Sequence, residues 1–297
     1  MSSPAGAPSR LRTNILIVVL CVIWSTTWLV VKKGVVDLPP FTSATLRMAL
    51  AALVMAGVSA VLAKREGGEK PSIRLSLVMG IGNFSVTYGI VYWASTILPS
   101  GLIALLWAIY PMMMAITGHF YLDGEKLRPL QWTGFMISFI GVAVLKTDLE
   151  EFGESAPLAA SIVLLSPLSS CIATAIVKKH GANVSSNLLN RNGLIVSVFP
   201  LLAMTLLFER DATIHWTGFA VFSVAYLAIM GTVVTFGIYY YLLRFAAAHK
   251  LSLIAFITPA IAVAIGCLLG NETANLRILL GAAFILSGVV LVVIRRR

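Results

Sequence analysis

Charged residues are scarce in this chain of 297 residues. Asp, Glu, Lys and Arg together make up only 11% of it, whereas 59% of the residues are apolar. A soluble domain carries about 25% charged residues, so this chain could not cover its own surface with polar groups in water. The scarcity excludes a soluble globular protein and predicts an integral membrane protein.

Several patterns that carry chemistry are missing too. The three cysteines, Cys21, Cys171 and Cys267, fall inside apolar runs, and no pair has the spacing of metal ligands. The four histidines form no cluster with acidic residues, and no G-x-x-x-x-G-K-[ST] phosphate loop is present. We therefore expect no metal, no cofactor and no ATP-driven pumping by this chain alone.

Acidic residues are absent from the middle of every apolar run, since all twelve lie in predicted loops or near the ends of runs. A carboxylate deep in a span is the usual sign of a proton or cation relay, because its burial is costly. Its absence argues against cation–proton exchange and against an intramembrane aspartyl protease. His119 and Asp123 fall at a predicted helix end, so an enzyme remains a remote alternative.

Long apolar runs are what the chain does have. Ten predicted spans cover residues 14–31, 41–63, 75–95, 101–120, 131–145, 158–177, 188–208, 216–243, 251–269 and 278–294. Most approach the roughly 20 residues that cross the hydrocarbon core. We expect an all-α membrane protein with ten transmembrane helices, the first of them an uncleaved helix.

The chain also repeats itself. A shift of 148 residues, reduced to 147 after one residue is lost in a turn, aligns an ordered series of residues. The pairs are Gly89 and Gly237, Tyr92 and Tyr240, Pro111 and Pro259, Gly118 and Gly266, Glu125 and Glu272, Gly134 and Gly281, and Gly141 and Gly288. We expect a five-helix repeat over 1–147, a linker over 148–154 and a second repeat over 155–297. Because five is odd, the second repeat is predicted to be inverted, a common plan for transporters.

The distribution of basic residues predicts an orientation. With the N-terminus in the cytoplasm, fifteen Lys and Arg residues fall in inner segments and five in outer loops. The five are Lys32, Lys33, Lys146, Arg210 and Arg277. The positive-inside rule therefore places both termini in the cytoplasm. The net charge of +10 is explained by these loops, so we expect a lipid bilayer as partner and no nucleic acid.

Four residues inside the spans are candidates for gating or kinking. Pro111 and Pro259 each remove a backbone hydrogen bond near mid-membrane and permit a kink. Arg47 and Arg191 are the basic residues well inside predicted spans. Either they extend to the nearest interface or bind helix carbonyls, or they contact a carboxylate along the transport path.

Aromatic and polar side chains share the third and eighth spans. Interfacial belts explain some of the rings, but polar groups inside a span should face protein or water. A path between the halves would suit both. Trp107 stands among small residues on one face of span four and fills either a core void or a cavity. The candidate substrate-binding residues are Trp24, Asn83, Thr87, Tyr88, Tyr92, Trp107, Thr235, Tyr239 and Ser252.

The chain resembles the drug/metabolite transporter superfamily, specifically its ten-helix EamA-type members. The resemblance covers nearly the whole chain and is strongest to YddG-type exporters of aromatic and other amino acids. It rests on Trp24-Ser25, Pro40, Arg47, Pro111, Gly124-Glu125, Gly134 and Gly141 in the first half and on Pro259, Glu272, Gly281 and Gly288 in the second. Family members usually have Gly after the first-span Trp and Gly-Glu where this chain has Asn271-Glu272.

The resemblance implies two five-helix repeats around a central cavity that opens alternately to either side. It implies export of small metabolites, most of all aromatic and other neutral amino acids, across a bacterial inner membrane by a monomer or weak homodimer. A nucleotide-sugar or sugar-phosphate carrier would share the fold, but should place more basic residues in the cavity to bind phosphate.

Overall fold

The computed structural model describes residues 9–122, 126–145, 149, 151–245 and 248–293. In these residues the regular structure is helical, and no β-strand is present beyond one isolated bridge between Glu69 and Val184. The predicted all-α class is therefore confirmed for the described part of the chain. The predicted Gly124-Glu125 turn lies outside the described residues, and the predicted linker 148–154 lies partly outside them.

The helices follow one another with short connections. The first half contains α1 (Arg10–Asp37), α2 (Pro40–Glu66), α3 (Ile73–Leu77), the π-helical segment π1 (Val78–Val86), α4 (Thr87–Ile97), α5 (Ser100–Trp107), α6 (Tyr110–Tyr121) and α7 (Pro129–Leu145). The second half contains α8 (Ala156–Val163), α9 (Leu165–His180), α10 (Ser186–Phe208), α11 (Gly218–Ala228), the segment π2 (Ile229–Val234), α12 (Thr235–Phe245), α13 (Ala248–Leu269) and α14 (Leu276–Val293).

Seven helical stretches in the described residues are long and apolar enough to cross a membrane. They are Leu11–Asp37, Pro40–Leu62, Ile73–Ile97, Ser100–Tyr121, Ala156–His180, Ser186–Phe208 and Gly218–Tyr239. Three shorter apolar helices, Pro129–Leu145, Ile257–Leu269 and Leu276–Leu291, fall at the predicted fifth, ninth and tenth spans. The chain is thus a multi-pass membrane protein; seven predicted spans have the expected length, and the count of ten stays a prediction.

The two prolines predicted to kink their helices are placed differently. In the fourth span α5 and α6 are separated by Ala108 and Ile109, so the interruption precedes Pro111. Pro111 lies in the first turn of α6, where its missing N–H sacrifices no helical hydrogen bond. Pro259 lies inside the continuous helix α13, where the carbonyl four residues earlier loses its partner.

Close contact between small residues joins α7 to α14. A Cβ atom added to Gly141 would lie 2.7 Å from the backbone nitrogen of Ile285, and one added to Gly281 would lie 2.5 Å from Cγ of Leu145. The hydroxyl of Ser138 donates to the carbonyl of Ile285 at 3.0 Å. Since lipid tails are as apolar as side chains, such close approach is what stabilises helix pairs in a bilayer.

Two acidic residues join α2 to α10, which run antiparallel. Glu66 at the end of α2 accepts a hydrogen bond from the Asn187 N–H in the first turn of α10 at 3.0 Å. Glu209, just after α10, accepts from the N–H groups of Phe41 and Thr42 in the first turn of α2, at 2.7 and 2.6 Å. The first N–H groups of a helix have no acceptor within it, and the helix dipole favours negative charge there. The pair is therefore fixed at both ends.

A third carboxylate caps α5. Glu272, from the repeated turn motif, accepts from the N–H groups of Ser100 and Gly101 at 2.6 and 3.0 Å. Gly266 leaves the space for this carboxylate, since a Cβ atom there would collide with it. Gly266 and Glu272 of the repeated motif therefore act together: the glycine leaves the space in which the glutamate caps α5.

Candidate functional site

Aromatic rings from three spans meet in the interior of the bundle. The Trp24 ring of α1 lies 5.8 Å from the Tyr239 ring of α12 and 6.4 Å from the Phe236 ring. Phe236 contacts Phe84 of π1 edge to face at 5.8 Å, and Phe84 lies 6.3 Å from Tyr88. The structure thus connects three predicted site residues through two phenylalanines that the sequence analysis missed. The sequence did indicate Phe236, because this residue begins the second copy of the repeated block, next to Gly237.

A second group of rings surrounds Trp107. Its ring stacks on Tyr110 at 5.6 Å and an angle of 14°, and the ring of Trp28 lies 6.2 Å away. The Trp107 indole N–H donates to the Ser166 hydroxyl at 3.0 Å, which fixes the orientation of the ring. Trp28 lies one helical turn after Trp24, so α1 connects the two ring groups.

Apart from Phe84, the rings of both groups are half-buried. Trp24, Trp28, Tyr88, Trp107, Tyr110, Phe236 and Tyr239 share this intermediate exposure. Fully packed core rings, such as Phe84, have no exposed surface at all. Each of the half-buried rings therefore keeps part of its surface uncovered by other protein atoms.

The predicted polar residues divide into two groups. The Asn83 amide is half-buried and accepts from the Ser170 hydroxyl. Thr87 and Thr235, by contrast, are buried, and both hydroxyls donate to backbone carbonyls: Thr87 to those of Gly82 and Ser166 at 3.0 and 3.2 Å, Thr235 to that of Thr232 at 3.4 Å. The Asn83 amide nitrogen also donates to the Met79 sulfur at 3.6 Å, so the amide is held at both ends but stays partly exposed, whereas the two threonines support the frame around it.

The two π-helical segments occupy equivalent places in the two halves. The shift of 148 residues that relates the halves carries residues 81–86 of π1 onto 229–234 of π2. A π-helix leaves carbonyls five residues back in reach of hydroxyls, and Thr232 donates to the carbonyl of Leu227 at 2.9 Å. Ser85 likewise donates to Gly80 at 2.9 Å. Mid-helix π segments are frequent at functional sites.

Arg47 contacts the first ring group through Tyr88 and is buried within the bundle. Its side chain is only 3% exposed. The guanidinium donates to the Thr232 hydroxyl at 3.2 Å and, more weakly, to the Tyr92 hydroxyl and the Gly231 carbonyl, both at 3.4 Å. The Tyr88 ring lies over it at 4.5 Å. Burial therefore leaves this charge inside the bundle, between spans two, three and eight.

Arg191, its counterpart in the second half, has a different environment. Its Nε and Nη2 groups both donate to the Asn192 amide oxygen, at 3.0 and 2.8 Å, and its side chain is half-buried. Asn192 in turn donates to the Ser76 hydroxyl at 3.3 Å. Arg191 is thus separate from the ring groups. The side chain of Ser252, another predicted site residue, lies outside the described part of the chain.

A family model matches the chain twice. The model describes the EamA-like transporter family, and it matches residues 11–147 and 157–294.

Proteins with related sequences are transporters by name. "Uncharacterized transporter YoaV" of Bacillus subtilis is 26% identical over 92% of this chain and 94% of its own. "Uncharacterized inner membrane transporter YedA" of Escherichia coli K12 is 25% identical over 92% and 88%. "Probable amino-acid metabolite efflux pump", also of Escherichia coli K12, is 24% identical over 93% of both.

A solved structure shares the fold. It superposes with a TM-score of 0.64 at 17% identity, over 95% of this chain and 96% of that chain.

Proposed function

Because the chain belongs to the EamA-like transporter family, we propose that it exports small metabolites, above all aromatic and other neutral amino acids, across the bacterial inner membrane. The chain is a transporter and not an enzyme, as are its relatives. One relative is named as an amino-acid metabolite efflux pump, which supports the substrate class. The narrower likeness to YddG-type exporters belongs to the same proposal.

The half-buried rings in the interior carry the proposal. Four of these rings line spans one, three, eight and four, and each is partly exposed: Trp24, Tyr88, Tyr239 and Trp107. Stacking of two rings contributes about 0.5–1.5 kcal/mol beyond the burial of their area. An amino acid with an aromatic side chain would gain from this lining, while Asn83 supplies a polar contact.

The mechanism we propose is alternating access between two inverted five-helix repeats around a central cavity. The inversion is supported by the antiparallel arrangement of α2 and α10, which the reciprocal caps Glu66 and Glu209 establish. The matching positions of the two π segments support the repeat itself. The ten-span count, both termini in the cytoplasm and a monomer or weak homodimer are parts of this proposal.

The orientation has its own test. A cysteine placed at the exposed Glu154, in a background without the native cysteines, should react with an impermeant reagent added to intact cells. Labelling of Glu154→Cys only after the cells are opened would overturn the orientation and the inversion derived from it.

A panel of competing substrates tests the function. Purified protein in liposomes loaded with radioactive phenylalanine should release it faster when unlabelled phenylalanine, tyrosine or threonine is present outside, since a carrier exchanges its substrates. Sugar phosphates and nucleotide sugars should have no effect. Exchange stimulated by a phosphorylated compound, and not by amino acids, would favour the carrier class of the same fold instead.

A further inference from the structure

Arg47 is a buried cation with an incomplete set of partners. Guanidinium offers five N–H donors, and three of them have acceptors in the described part of the chain. These acceptors, on Tyr92, Thr232 and Gly231, are all neutral. Their distances of 3.2–3.4 Å exceed the 2.7–2.9 Å that is usual for a cationic N–H bound to a carboxylate. The guanidinium is therefore held in place but not neutralised.

An uncompensated charge at this depth is costly, because burial removes it from water and the bilayer offers no counter-ion. The Tyr88 ring, 4.5 Å from the guanidinium carbon, compensates in part through a cation–π contact. No carboxylate of the described residues lies within ion-pair distance of Arg47. A carboxylate on a bound molecule would supply the counter-charge that these neutral partners lack.

The position of Tyr88 indicates which anion. Its ring contacts both the guanidinium and Phe84, and through Phe84 and Phe236 it joins the ring group that contains Trp24. The Tyr88 hydroxyl has no hydrogen-bond partner among the described residues, and its side chain is half-buried. Tyr88 thus connects the guanidinium to the same rings on which a substrate would stack.

We propose that Arg47 binds the carboxylate of the transported molecule, in a two-pronged contact, while the aromatic rings hold its apolar part. This inference rests on the proposed function and deepens it, because it assigns to Arg47 the binding of the carboxylate that α-amino acids share with other small organic carboxylates. A lysine would supply the charge without the planar pair of donors. The site selects against amines, amides and esters that lack the anion.

Paired ligands that differ only in charge test the proposal. We would measure the melting temperature of detergent-solubilised protein with phenylalanine against phenylalaninamide and with benzoate against benzamide. The carboxylate of each pair should raise the melting temperature of the wild-type chain and its amide should not. Arg47→Gln should abolish the difference and Arg47→Lys should reduce it. Arg210→Gln, at an exposed loop position, removes the same charge elsewhere and should leave it intact.

The unliganded melting temperature separates this role from a structural one. Removing an uncompensated charge should leave Arg47→Gln as stable as wild type or more stable. If Arg47 only stabilises the fold, its substitution should lower the unliganded melting temperature. The full stabilisation by carboxylate ligands should then persist in Arg47→Lys.

Other outcomes remain distinguishable. Equal stabilisation by carboxylate and amide would overturn the anion site. Selective stabilisation by benzoate together with no exchange of phenylalanine in liposomes would overturn the proposed amino-acid function and leave the anion site standing.

Discussion

Glu66 and Glu209 lie at opposite ends of one helix pair, and each caps the helix that carries the other. The two caps are about 40 Å apart, since α2 has 27 residues and a helix rises 1.5 Å per residue. Each carboxylate satisfies N–H groups that have no acceptor within their own helix. The contacts join α2 and α10 at both ends.

Replacing either cap should cost stability independently of the other. We expect Glu66→Gln and Glu209→Gln each to lower the free energy of unfolding by about 0.5–2 kcal/mol, as the loss of a helix cap does. Because the sites are distant, the double variant should show the sum of both effects. Unfolding of the purified proteins in detergent measures this, and a double variant no less stable than one single variant would contradict independent caps.

The stability contributed by Glu66 should depend on pH. Partial burial disfavours its charged form, but hydrogen bonds from Ser186 and Asn187 outweigh this and lower the pKa from 4.5 to about 2. A lowered pKa in the folded protein means that the contribution is complete above about pH 4.5 and is lost as pH falls toward 2. Since the group is only partly buried and solvent screens its contacts, we expect a contribution of about 1 kcal/mol.

Melting curves between pH 6 and pH 3 check this contribution. The gap in stability between wild type and Glu66→Gln should narrow as the pH falls. Glu69→Gln, a nearby exposed position whose side chain has no hydrogen bond in the described structure, serves as the control and should not show the effect. A difference in stability between wild type and Glu66→Gln that grows as the pH falls would contradict the lowered pKa of Glu66.

Two glycines in similar helices should respond oppositely to the same substitution. Gly141→Ala places a methyl group against backbone atoms of α14, 2.7 Å from the Ile285 nitrogen and 2.8 Å from the Gly281 carbonyl. Overpacking of this kind costs about 1–3 kcal/mol. Gly57 has no atom within 4 Å of such a methyl group, so Gly57→Ala should stabilise by up to about 1 kcal/mol through helix propensity. Equal effects at both positions would refute close packing of α7 on α14.

Substitution of Trp107 shows whether its ring contacts substrate or only packs against the protein. If the ring stacks on substrate, Trp107→Ala should reduce phenylalanine transport up to about tenfold more than threonine transport, with a nearly normal melting temperature. If it only packs, the cavity left behind should cost about 3–5 kcal/mol and both substrates should suffer equally. Trp216→Ala, at a position with 62% exposure, is the control and should change neither quantity.

The sequence was sufficient for features that depend on local composition. Apolar runs located the helices to within a few residues, and the class, family and membrane location followed. The sequence predicts that Arg47 lies inside a span, and it lies in α2. Whether its side chain extends to the interface or into the interior depends on the helix packed against it, which the sequence does not identify. That neighbour, π2, comes from 185 residues further along the chain, as the contact with Thr232 shows.

Features created by tertiary contact were missed. The interruption in span four was predicted at Pro111 but precedes it, because proline fits the first turn of a helix and the chain breaks at Ala108 and Ile109 instead. The amino-acid composition of the π segments does not distinguish them from α-helix. They are supported by serine and threonine hydroxyls that donate to the carbonyl five residues earlier in the chain. Glu66 and Glu209 appeared only as loop acids, because a cap between helices requires knowing that those helices are neighbours.

We propose that this chain is a carrier that moves neutral amino acids along an aromatic-lined path without a membrane carboxylate for proton coupling. The most direct test of this proposal is the efflux of preloaded phenylalanine from liposomes containing the purified protein, with no pH gradient imposed. The account predicts movement down the phenylalanine gradient that exceeds protein-free liposomes and saturates with concentration. Efflux that occurs only when a proton gradient is imposed, with no downhill flux in its absence, would contradict it.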